Sequence, residues 1–195
     1  MPRYRTRSWR AFDVGASAGG AMMTREPPPP APSRVRILGL DPGSRRTGFG
    51  IIECHGPDYE HVAHGCIAVA GDELAQRLRQ IFDSLRALIS EHGPGEIAVE
   101  RVFVNRNVDS ALKLGQARGA ALCAVPVGVP VFEYAPRAIK LALVGSGAAE
   151  KVQVAHMIKT LLRLDERLSP DAADALAIAV CHAHSRRLQQ LAFTK

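Results

Sequence analysis

At 195 residues and 47% hydrophobic, the chain is long enough to bury one core, and no apolar run approaches the roughly 20 residues that a membrane-spanning helix needs. Its formal net charge of +6 sits almost wholly in residues 1–36, where seven Arg face two acids; the remainder carries 18 basic and 17 acidic residues, so bulk charge argues little for a nucleic-acid partner. Four scattered cysteines, Cys54, Cys66, Cys123 and Cys181, form no Cys-x-x-Cys, which argues against a zinc or dithiol motif and reads as reduced thiols in a cytoplasmic protein.

Residues 1–33 contain Gly-Ala-Ser-Ala-Gly-Gly and Pro27-Pro-Pro-Pro30-Ala-Pro32 without apolar periodicity. They are predicted to be a disordered basic, proline-rich tail without the apolar core of a secretory signal, and Met22 or Met23 offers an alternative start. A single folded domain is expected over 34–185, with 186–195 as a C-terminal tail. Strands over 35–41 and 47–54, joined by Pro42-Gly-Ser44, and a third near 65–70 predict an antiparallel meander. Leu74, Leu78, Ile81, Leu85 and Leu88/Ile89 recur at helical spacing and predict a helix over 72–92. The short apolar stretch 96–101 suits a buried parallel strand. A helix over 108–125 ends at Pro126, and a strand at 130–134 follows. Then come a short helix near 136–143, the Gly145-Ser-Gly147 loop and a helix over 149–163. The last helix has Ser169 as N-cap and Pro170 at its first position, and is expected to run to about His184. This order implies an α/β fold, a mixed five-stranded sheet with helices on both faces.

Four acids stand out against that frame. Asp41 ends the first apolar strand and Glu100 the parallel one, and open sheets carry their sites beyond the carboxyl ends of strands. Asp171 and Asp174 lie three apart, on one helix face, in Asp171-Ala-Ala-Asp174-Ala-Leu-Ala-Ile-Ala179. Each has a plainer explanation. Asp41 precedes Pro-Gly and suits a turn, Glu100 could be a solvated strand end, and Asp171 in a first helical turn complements the macrodipole. Asp174 is harder to dismiss, because its neighbours predict a helix buried nearly all round, where an unpaired charge costs several kcal/mol. Carboxylates gathered in one site repel each other unless a cation neutralises them, which points to a magnesium-dependent enzyme.

The stretches Leu38-Gly-Leu-Asp41-Pro-Gly-Ser-Arg-Arg-Thr-Gly48-Phe-Gly50, Glu100-Arg-Val-Phe103, Asp109-Ser-Ala-Leu-Lys-Leu-Gly-Gln-Ala-Arg-Gly119 and Asp171-Ala-Ala-Asp174-Ala-Leu-Ala177 resemble the RuvC family of bacterial Holliday-junction resolvases over about 35–184. The resemblance implies a ribonuclease-H-like nuclease domain. It implies an endonuclease of homologous recombination and DNA repair that resolves four-way DNA junctions by paired symmetric nicks, leaving 5′-phosphate and 3′-hydroxyl ends. It further implies a homodimer working in the bacterial cytoplasm beside the RuvA–RuvB branch-migration complex. Asp41, Glu100, Asp171 and Asp174 become the catalytic acids, holding two Mg²⁺ per active site, with Mn²⁺ as an alternative.

The same resemblance makes Phe103 a wedge or stacking residue at the junction centre and places Lys140 and Lys151 near the scissile phosphate. By themselves an aromatic is more often core and a lone lysine solvated. Lys151 at a helix start, however, opposes the dipole, and a bound phosphate would resolve that conflict. Arg45, Arg46, Asn105, Arg106 and Arg137 are further phosphate-contact candidates. Cys181-His182-Ala-His184 mimics a metal cluster but is read as the basic close of the last helix. Helix 108–125, with Ala111, Leu114, Ala117, Gly119, Ala120 and Ala121, is the expected dimer face. Three other readings compete. Asp41-Pro-Gly43-Ser-Arg-Arg-Thr-Gly48 could be the phosphate loop of an actin-like ATPase or sugar kinase, but such enzymes need two domains and a second loop that this chain lacks. A junction-binding protein with a dead site is opposed by the presence of all four acids. Another resolvase-like nuclease of the same fold is opposed by the Asp-Ser-Ala-Leu-Lys-Leu-Gly-Gln run.

Overall fold

The computed structural model describes residues 34–56, 58–101 and 108–193. Strand alternation organises its central layer. Along β1 (Arg34–Asp41), Leu38 and Leu40 turn to one face while Val35, Ile37, Gly39 and Asp41 turn to the other. β2 (Arg46–His55) returns antiparallel, with Gly39 opposite Gly50 and Asp41 opposite Gly48. β3 (Asp58–Ala68) completes the meander as an edge strand. β4 (Glu96–Glu100) and β5 (Val131–Tyr134) join in parallel on the far side of β1, so the order is β3-β2-β1-β4-β5.

Helices cover both faces, as expected. On one, α1 (Leu74–His92) and α2 (Val108–Cys123) bury Ile81, Leu85, Ala117 and Ala121 against Leu38, Leu40, Ile51, Ile97 and Val99. On the other, α3 (Pro136–Val144), α4 (Lys151–Leu162) and α5 (Pro170–Phe193) pack Ile139, Val154, Ile158, Leu176 and Val180 over Ile37, Ile52 and Ala98. Each fully buried Leu or Ile contributes about 1.5–3 kcal/mol, so the two layers hold the sheet from both sides.

α5 lies unusually near the sheet because three glycines on its face of β1 and β2 leave room for it. A Cβ on Gly39 would meet the Ala175 carbonyl oxygen at 2.1 Å, one on Gly48 the Asp171 carbonyl oxygen at 2.1 Å, and one on Gly50 the Leu176 side chain at 2.7 Å. These contacts set the height of the acid-bearing helix above Asp41. Gly39→Ala should therefore destabilise the protein by about 1–3 kcal/mol or more, since only backbone movement can relieve the clash. Thermal denaturation checks this, and an unchanged melting temperature would show that α5 is free to lift.

Two boundaries differ from those expected. β3 begins at Asp58, well before residue 65, because an edge strand bearing Glu60, His61 and His64 hides its alternation, and a register shift at Ile51/Ile52 breaks its period. α5 does not stop near His184; it continues to Phe193, so the segment expected as a C-terminal tail is helical over 186–193. Residues 185–193 contain neither Gly nor Pro, and the Arg186 guanidinium is anchored by Glu96 at 3.0 Å. Ala117 and Ala121, expected at a dimer face, are fully buried within the domain. Cys54, Cys66, Cys123 and Cys181 are all free thiols. No helix of the described residues is long and apolar enough to cross a membrane.

Candidate active site

β1 and β4 are parallel neighbours with Leu40 opposite Val99, so Asp41 and Glu100 leave the carboxyl ends of adjacent strands side by side. Alternation points both toward α5. That helix is started by Ser169, whose hydroxyl accepts the Ala172 N–H at 3.3 Å, with Pro170 at the first position, as the sequence predicts. Asp174 then faces Asp41 from the first turns of α5. Asp41, Glu100 and Asp174 line one cleft of about 250 Å³ together with Lys140 of α3 and Lys151 of α4, walled by Pro136, Ile139, Val154, Ala177 and Ile178.

The apolar walls and the crowding of charge raise the acids. Burial, then the neighbouring Asp174 carboxylate, pushes Asp41 up to about 6 against the pull of Lys151. Burial, then Asp41 and Asp174, pushes Glu100 up to about 7. Lys151 donates to Asp174 Oδ2 at 2.6 Å, and that bond raises the lysine and keeps it charged. The conflict between Lys151 and its own helix dipole is thus met by a carboxylate, where the sequence suggested a phosphate.

Asp171 stands apart. It does not line the cleft, and accepts instead from Arg46 Nε at 2.7 Å. Arg46 was a phosphate-contact candidate; its pairing with an acid was not legible because the partners are 125 positions apart. Arg45 points elsewhere, donating to the Gly71 carbonyl at 3.3 Å. Arg137 is exposed and packs over Gly147. Phe103, Asn105 and Arg106 lie outside the described residues.

His182 and His184 do not close the helix, since α5 runs on for nine residues beyond His184. His182 is buried, stacked on Phe132, and bridges the Tyr134 hydroxyl at 2.6 Å to Glu96 Oε2 at 2.7 Å. His184 meets the Tyr59 hydroxyl at 2.5 Å. These chains tie α5 to β3, β4 and β5 and were missed in the sequence, where only Glu96, two positions before Ala98, hinted at a polar residue on the α5 face.

Among the described residues, no three His, Cys, Asp or Glu side chains converge tightly enough to hold a metal ion in this arrangement. The donor chemistry nevertheless fits a hard divalent cation. Asp41, Glu100 and Asp174 offer oxygen ligands in one cleft, and a cation there would remove the repulsion that raises Asp41 and Glu100.

Comparison with known proteins points the same way. The family described as crossover junction endodeoxyribonuclease RuvC matches residues 37–182. The crossover junction endodeoxyribonuclease RuvC of Shewanella amazonensis is 53% identical over 152 residues, spanning 77% of this chain and 88% of that protein. That of Shewanella pealeana is 55% identical over 150 residues, 76% of this chain and 87% of the relative. The structure of T. thermophilus RuvC in complex with Holliday junction substrate superposes with a TM-score of 0.75 at 32% identity, covering 80% of this chain and 97% of that one.

Proposed function

The chain belongs to the RuvC family, and on that premise we propose that it resolves four-way DNA junctions by paired symmetric nicks, leaving 5′-phosphate and 3′-hydroxyl ends. It is a ribonuclease-H-like endonuclease of recombination and repair that uses divalent metal. The observation that carries the reading is the single cleft in which Asp41, Glu100 and Asp174 meet Lys140 and Lys151 at the carboxyl ends of β1 and β4. We read Mg²⁺ as the working ion, two per site, held by Asp41, Glu100, Asp174 and Asp171, with Mn²⁺ able to substitute. When bound, such cations activate water for attack on phosphorus and stabilise the departing 3′ oxygen.

The chain's own groups do the rest. Asp41, beside Glu100 and in one cleft with Asp174, would be a central holder of such ions. Lys151, held charged by Asp174, and Lys140 on the opposite helix present cations to the scissile phosphate from the cleft wall. The apolar wall of Ile139, Val154 and Ile178 limits water around the reacting group and strengthens each electrostatic contact. Phe103 is proposed as a wedge or stacking residue at the junction centre, and Asn105, Arg106, Arg45 and Arg137 as phosphate contacts.

Cleavage of a synthetic four-way junction in Mg²⁺, beside a plain duplex of the same sequence, tests the reading. Symmetric junction nicks that vanish with chelator are expected, and equal cutting of the duplex would overturn junction selectivity.

Two nicks in a two-fold junction call for two sites in fixed relation, so we propose a homodimer. Its face is drawn from α2, where Val108 is 67% and Leu112 62% exposed, with Gly115 and Gly119 following on the same stripe. Leu112→Asp should give a monomer by light scattering while the fold survives; a dimer unaffected by the change would move the interface elsewhere. The RuvA–RuvB complex as partner and a bacterial cytoplasmic location complete the proposal.

A further inference from the structure

We propose that Arg46 is the resident counter-ion of the active site: it holds Asp171 off the cleft until a divalent cation takes the carboxylate, and so sets how tightly the site binds metal. This rests on the metal-nuclease reading above. Strand geometry forces the encounter. Arg46, Gly48 and Gly50 share the α5 face of β2, and the Gly48 backbone lies directly on Asp171, where an added Cβ would be 2.1 Å from the carbonyl oxygen. A long side chain two residues before Gly48 on that face therefore meets the first turn of α5. It meets Asp171, Nε to Oδ2 at 2.7 Å.

Three features make the pair exchangeable. The Arg46 side chain is 55% exposed, and exposed ion pairs are weak. The guanidinium stands at a helix N-terminus, where the dipole opposes positive charge, so Asp171 is what keeps it there. Of the four acids, Asp171 is the one that does not line the cleft. A small doubly charged cation is the stronger partner for hard carboxylate oxygens and would displace the singly charged, delocalised guanidinium. Arg46 is thus a positioning residue that acts through Asp171.

The test is Mn²⁺ binding to the full chain without DNA, followed by electron paramagnetic resonance of the free ion. Arg46→Gln and Arg46→Ala should bind about five-fold more tightly, the scale of one exposed ion pair. Arg45→Gln, which removes the same charge from the preceding turn, where Arg45 donates to the Gly71 carbonyl and not to Asp171, should stay close to wild type. The gain should disappear in Arg46→Gln/Asp171→Asn, because the coupling runs through that acid. Unchanged affinity in Arg46→Gln, or an equal gain from Arg45→Gln, overturns the counter-ion role and leaves the metal site standing. Absence of Mn²⁺ binding in the wild type, or binding that survives Asp41→Asn, overturns the metal site and the proposal together.

Discussion

Asp41→Asn should abolish junction nicking while leaving junction binding intact. The acid occupies the end of β1, flanked by Glu100 on the neighbouring strand and opposed by Asp174 from α5. If Asp41 holds the cation, its loss would remove several kcal/mol of transition-state stabilisation, so at least about a hundredfold fall in rate is expected. DNA affinity comes instead from cations meeting phosphates, and Lys140, Lys151 and the exposed arginines remain. Single-turnover nicking and gel-shift titration on one junction separate the two effects. Glu100→Gln, Asp171→Asn and Asp174→Asn should behave alike. Near-normal cleavage by Asp174→Asn would sink the assignment of four acids, and loss of binding in parallel with cleavage would show that the acids support the fold or the DNA surface instead.

The same crowding predicts how stability of the chelated protein depends on pH. Asp41 is raised to about 6 and Glu100 to about 7, both above their unfolded values of 3.8 and 4.5. Between those values the folded state binds more protons than the unfolded one, so stability falls as pH rises. The contribution of the pair is fully present below their unfolded values, near pH 4, and is lost as pH rises through about 6 and 7. Burial is the largest cause for both, and Asp41 adds to the rise of Glu100, so the two are counted together, at roughly 2 kcal/mol or somewhat more once their partial exposure is discounted, worth several degrees of melting temperature in a domain of this size. Glu53 and Glu96 are shifted downward and act in the opposite direction, so the readout is a difference between proteins. In chelator at pH 8, Asp41→Asn/Glu100→Gln should melt above wild type, and at pH 4 the two should converge. Mg²⁺ at pH 8 should stabilise the wild type and leave the double variant unchanged. A wild type as stable at pH 8 as its double variant would mean that the acids are well solvated and that the site stores no repulsion.

Much of this was legible because its signals are local. Asp41 and Glu100 could be placed at strand ends from two short apolar runs, and Asp171 and Asp174 on one helix face from a spacing of three. The Ser169-Pro170 start of α5 carries its own capping chemistry, now seen in the Ser169 to Ala172 hydrogen bond. Both helical layers, the two parallel strands and the antiparallel meander follow from periodicity and from the lengths of the connections. The errors fell where local signals thin out: an edge strand half-covered on both faces, and a helix whose last nine residues are held by a contact from β4.

What the sequence determined by itself is the inventory: the elements, the acids at their ends, and a resemblance dense enough to name a family. What only the tertiary structure decided is who meets whom. The role of Gly39, Gly48 and Gly50 emerges only when α5 is seen resting on them. Arg46 and Lys151 read as phosphate contacts, and only the fold shows each on an acid, 125 and 23 positions away. His182 reads as a helix end until it is buried between Tyr134 and Glu96. A hydrophobic period is written in consecutive residues, but a charge pair or a close backbone approach depends on the relative height and register of separate layers, which packing of the whole core fixes.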